Sequence, residues 1–63
     1  MVFYLETERA KYEVRTGSGM TTINVYQNGR NIDCFTINKN VSEVEALQHV
    51  KEWEQYTDEA YHK

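Results

Sequence analysis

Cys34 and His49 form the one nucleophile–base pair that this sequence offers. A thiol activated by an imidazole is the arrangement of covalent acyl-transfer chemistry. No glycine-rich loop lies beside Cys34 to build an oxyanion site. A cysteine in a strand is ordinarily a small hydrophobe, and that is the reading adopted for Cys34. His49 and His62 stand thirteen residues apart, far from the i, i+4 spacing by which a helix presents two imidazoles to one metal. A single cysteine also excludes a Cys-based zinc site. The chain is therefore expected to be no enzyme, with no catalytic residue, no metal and no cofactor.

Two charged or aromatic surfaces are better candidates. Glu45, Glu52 and Glu59 recur every seven residues, which makes a ridge advancing about 10 Å per step along a helix. Glu54 and Asp58 widen the acidic area on one flank. Such a face is either a solvated helix surface or a docking surface for a protein with a basic patch. The second candidate is a sheet face with Tyr26 and Phe35 among Arg15, Arg30, Arg9 and Lys11. Aromatics can stack on bases, and sheets can read a groove.

The elements that position these residues follow from periodicity and turn chemistry. Ala10, Tyr12 and Val14 alternate with Lys11, Glu13 and Arg15, the period of a half-buried strand. Thr16-Gly17-Ser18-Gly19 suits a four-residue hairpin loop with Arg15 opposite Met20. Asn28-Gly29 is the preferred type I′ dipeptide and sets Gln27 opposite Arg30. Carried straight along, that register pairs Val25 with Ile32 and Ile23 with Cys34. It leaves Lys11, Glu13, Arg15, Thr22, Asn24, Tyr26, Asn31, Asp33 and Phe35 on the opposite face. Val2-Phe3-Tyr4-Leu5 is either the start of the first strand or a separate edge strand.

Ser42 and Glu45 form a capping box that opens a helix. At 100° per residue, Ala46, Leu47, Val50, Trp53, Thr57, Ala60 and Tyr61 share one stripe. Trp53 is the expected core centre, facing Tyr12, Ile23, Val25 and Ile32. The fold class is α+β: a three-stranded antiparallel β-meander, with Val2–Leu5 as a candidate fourth edge strand, packed on one C-terminal amphipathic helix. Strands are expected at about 2–15, 20–27 and 30–37, and the helix at about 42–61, all within one domain, 1–63.

Sixty-three residues bury only about 60% of their unfolded surface, and with one cysteine no internal disulfide can staple them. Self-association, most simply a homodimer through Val2–Leu5, is one way to bury more. Five tyrosines, two phenylalanines and one tryptophan exceed what so small a core absorbs, which points to a partner surface. The lone Cys34 and the lack of an apolar leader suit a cytoplasmic setting. No membrane span is expected, and the chain reads as one complete small product. The formal charge of −3 divides unevenly: five bases and four acids in residues 1–41, two bases and six acids in 42–63. An acidic helix does not suit phosphate binding.

Across residues 10–56 the element order is similar to that of the small β-β-β-α DNA-binding domains at the start of phage-type integrases. That resemblance implies a sheet entering the major groove. Those domains are normally basic, whereas Glu13 and Asp33 sit among the bases here. The same order, with its Ser-x-x-Glu cap, is also similar to HicB-type antitoxins and to small phage inhibitors of host enzymes. These resemblances imply a small, non-enzymatic, acidic inhibitor or antitoxin-like modulator of another macromolecule, of the kind phages and mobile elements encode. A nucleic-acid-binding module and a structural homo-oligomer subunit are the alternatives.

Overall fold

In the computed structural model, which describes residues 1–61 and side chains as far as Thr57, the chain runs β1 (Val2–Glu6), β2 (Lys11–Gly17), β3 (Met20–Gln27), β4 (Arg30–Ile37) and α1 (Glu43–Tyr61). The strands form one antiparallel sheet in the order β1-β2-β3-β4, so the α+β meander holds and Val2–Glu6 is its fourth strand. The break after Glu6 is local chemistry. The Thr7 hydroxyl accepts the amides of Arg9 (3.2 Å) and Ala10 (3.3 Å), and the Thr7 amide donates to the Ala10 carbonyl at 3.0 Å. A threonine that satisfies the turn's own donors can replace a glycine or proline there.

Both remaining hairpins close with two left-handed residues: Ser18 (φ 56°) and Gly19 (77°), then Asn28 (52°) and Gly29 (76°). This is the type I′ signature, whose twist matches that of the flanking strands. The first loop is therefore Ser18-Gly19 alone, and Gly17 pairs with Met20 rather than Arg15 doing so. The register moves by two residues, which preserves side-chain parity. Tyr12, now opposite Val25, and Val14, opposite Ile23, stay on the buried face.

The second hairpin departs from expectation in a way that changes faces. Gln27 does sit opposite Arg30, and Tyr26 opposite Asn31, but Val25 then pairs with Asp33 and Ile23 with Phe35. A β-bulge at Ile32 inserts one residue, and every side chain beyond it reverses. Cys34 and Ile32, expected in the core, are exposed, whereas Phe35, expected on the open face, packs against the core with Ile37. Two gains favour the bulge. Phe35 and Ile37 bury more apolar surface than Ile32 and Cys34 would. Asp33 also turns toward the helix and accepts the Trp53 indole N–H at 2.7 Å. The Asn31 amide spans the irregularity by donating to the carbonyls of Val25 (3.3 Å) and Asp33 (3.2 Å).

The capping box is present. Ser42 Oγ accepts the Glu45 amide at 3.2 Å, and the Glu45 carboxylate accepts the Ser42 amide at 3.3 Å. The helix buries Ala46, Val50 and Thr57 against Ala10, Tyr12, Val14, Ile23, Val25 and Val41, with Leu47 and Trp53 half-buried. Ala60 and Tyr61 of the expected stripe have side chains outside the described residues. Tyr12, at no exposed surface, is the core centre rather than Trp53, whose ring meets it edge-on at 6.0 Å and 82°.

Candidate functional site

The helix covers one face of the sheet, and no described element covers the other. That outer face is built in rows by the pairing. Glu6, Lys11, Tyr26 and Asn31 lie side by side, then Tyr4, Glu13, Asn24 and Cys34, then Val2, Arg15, Thr22 and Thr36. Tyr4 is 71% exposed and Tyr26 half-buried, so two phenol rings stand in neighbouring rows on different strands. An open groove of about 670 Å³ lies at this end of the sheet between the turns at Thr7–Ala10 and Gln27–Gly29, with both tyrosines, Glu6, Lys11 and Glu13 lining it from the outer face.

Hydrogen bonds hold the centre of the face in place. Glu13 accepts the Arg15 guanidinium at 3.0 and 3.3 Å and the Asn24 amide at 3.2 Å. The Arg15 guanidinium holds the Glu13 carboxyl below its ordinary range, and Glu13 raises Arg15 in return. The strands of this face carry two bases, Lys11 and Arg15, against two acids, Glu6 and Glu13. It is thus nearly neutral, and one of its bases is already occupied. Arg30 is exposed at the β3–β4 turn, while Arg9 turns to the helix side and donates to the Glu54 carbonyl at 2.8 Å.

The acidic helix face is thinner than its sequence suggests. Glu52 is exposed. Glu45 is half-buried, serves the cap, and accepts Lys39 at 2.6 Å, which together hold its carboxyl below the ordinary range. Glu54 does not flank the ridge. It is half-buried, and one oxygen accepts the hydroxyls of both Tyr12 and Thr7 at 2.5 Å. Asp58 and Glu59 have side chains outside the described residues. Glu54 therefore clamps the β1–β2 turn to the helix, and sequence periodicity alone could not distinguish it from its exposed neighbours.

This clamp makes a testable pH dependence. Burial pushes the Tyr12 phenol well above its ordinary value; the Glu54 carboxylate adds to the rise, and Thr7 and Arg9 oppose it. A phenol whose folded pKa is raised stabilises the native state while protonated. Its contribution is whole below the unfolded value of about 10 and is lost as pH rises through the folded value. Urea midpoints should fall above about pH 10, and Tyr12→Phe should show a shallower fall. Equal slopes in both proteins would assign the alkaline loss to other groups.

The nucleophile–base pair is not assembled, since Cys34 lies on the outer face and His49 on the helix that covers the inner one. Among the described residues no three His, Cys, Asp or Glu side chains converge as metal ligands, and no helix is long and apolar enough to cross a membrane. Compared with protein-family models, curated proteins and solved structures, the chain matches none.

Proposed function

We propose that this protein is a small non-enzymatic binding protein, an inhibitor or antitoxin-like modulator, that engages a partner protein through the outer face of its sheet. The observation that carries this reading is the pair Tyr4 and Tyr26, which stand on neighbouring rows and line an open groove. Tyrosines give large contact area at low conformational cost and are enriched where binding energy concentrates. The near neutrality of the face favours a protein over a nucleic acid, whose phosphates need unpaired bases. Glu52, with Glu45 partly spent on Lys39, is a rim that speeds association with a basic target. A cytoplasmic setting suits the exposed free thiol of Cys34.

The test uses wild type, Tyr4→Ala/Tyr26→Ala and Glu45→Gln/Glu52→Gln/Glu59→Gln as baits for the native host's proteins, after equal melting curves are established. A species held by wild type and by the glutamine variant should be lost with the tyrosine variant, whose affinity falls about thirtyfold or more. Loss with the glutamine variant alone would move the site to the helix. A steep negative dependence of random-DNA binding on salt would replace the reading with the nucleic-acid one.

A further inference from the structure

The two edges of the sheet are treated differently. At β4 the edge is blunted. The bulge at Ile32 breaks the ladder, and Asp33 Oδ1 accepts the Cys34 amide at 2.7 Å, a donor that alternation aims away from β3. At β1 nothing comparable occurs, since its pairing with β2 is regular from Val2 to Glu6. Met1 and Thr16 exchange both backbone bonds at 2.8 and 2.9 Å, and Thr7 donates to Ala10 at 3.0 Å. By the alternation of an antiparallel ladder, Phe3 and Leu5 also bond inward. Val2, Tyr4 and Glu6 therefore turn their N–H and C=O groups to the open side. A regular edge strand with one charge is a template for another strand.

We propose that β1 pairs antiparallel with β1 of a second copy, Tyr4 lying opposite its own symmetry mate on the two-fold axis. Three features of the strand select a second copy as the occupant. Centring on Tyr4 is the one register in which Val2, Tyr4 and Glu6 of both copies all find partners. Shifting by two residues in either direction leaves one of the three unpaired. On the helix side, the same register sets Phe3 against Leu5 of the second copy and Leu5 against its Phe3, both half-buried at the edge of the core. The strand's single charge, Glu6, falls opposite Val2, and the two Glu6 side chains end about 13 Å apart along the strand, beyond the Debye length of about 8 Å.

The result is one eight-stranded sheet with both helices on the same side and the outer faces continuous. Tyr4 and Glu6 line the groove of each copy. The second copy thus extends each groove with its own Tyr4 and Val2, and the two binding surfaces meet at the axis. The pairing itself does not depend on what the outer face binds.

Sedimentation over a wide concentration range should show the mass doubling. Tyr4→Pro deletes the central outward N–H, which β2 does not use, and should weaken association at least about tenfold with the far-UV spectrum retained. In a Cys34→Ser background, Tyr4→Cys should form a disulfide-linked dimer under mild oxidation, because directly opposed residues lie within disulfide reach. Val2→Cys should not, its mate lying about 13 Å away. A monomer at every concentration overturns the proposal. So does doubling that survives Tyr4→Pro, or linkage as rapid through Val2→Cys as through Tyr4→Cys. If Tyr4→Pro fails to fold, the cross-linking pair decides alone.

Discussion

Tyr12→Ala should abolish cooperative folding. Tyr12 has no exposed surface, pairs with Leu5 on one side and Val25 on the other, meets the Trp53 ring edge-on and donates to Glu54. It is the residue through which β1, β2, β3 and the helix all connect. Truncating a buried large aromatic to alanine costs about 3–5 kcal/mol, which matches the whole stability that a core of this size ordinarily supplies. Tyr12→Phe separates the two parts of the effect. It keeps the ring and removes one of the two hydroxyls that this Glu54 oxygen accepts, so its cost should be about 1–3 kcal/mol. Trp53→Ala should fall toward the lower end of the range for Tyr12→Ala, because the indole is half-buried. Urea titrations followed by far-UV circular dichroism measure all three. A sharp transition near the wild-type midpoint for Tyr12→Ala would mean that the core is centred elsewhere.

Phe35→Ala should cost about 2–4 kcal/mol, whereas Ile32→Ala and Cys34→Ala should each stay within about 0.5 kcal/mol. A bulge-free hairpin continuing from Asn28-Gly29 requires the opposite order, with Ile32 and Cys34 in the core and Phe35 in solvent. The three substitutions therefore read the register of β4 directly. The native-state reactivity of Cys34 toward a thiol reagent gives a second measure. On the exposed outer face it should react at nearly the rate found in urea, and strong protection would return it to the core.

The hairpin of β3 and β4 shows where local reasoning stops. Asn28-Gly29 is sufficient to place the turn, because a type I′ pair needs two left-handed residues and few dipeptides tolerate that. It fixes Gln27 against Arg30 and nothing further out. Whether the ladder continues without a bulge depends on which side chains the rest of the molecule can bury, and that is a property of the opposing helix. Asp33 accepts the Trp53 indole N–H, and the core accommodates Phe35 and Ile37. Both contacts come with one extra residue at Ile32, beside which the Asn31 amide bonds the carbonyls of Val25 and Asp33. Turn preferences and alternation contain none of this information.

The acidic helix carries the same lesson. Glu45, Glu52 and Glu59 share a seven-residue period, Glu54 reads as an acidic flank beside them, and Ser42 with Glu45 does mark the helix start, because a cap involves only neighbours in sequence. The fate of Glu54 is decided 42 and 47 residues away, by Tyr12 and Thr7. The β1–β2 break was equally hidden, since Thr7 makes the turn with its hydroxyl rather than with glycine or proline.

By itself the sequence determined the α+β class, the two Gly-closed hairpins, the helix start and the buried parity of Tyr12, Val14, Ile23 and Val25, because each depends on contacts a few residues apart or on the two-residue period of a strand. Only the tertiary structure decided the bulge at Ile32, the exchange of Cys34 for Phe35 in the core, the inward turn of Glu54, and the contrast between a blunted β4 edge and an open β1 edge. Those features follow from which distant groups must be buried or satisfied together, and that competition is settled only once the helix lies on the sheet.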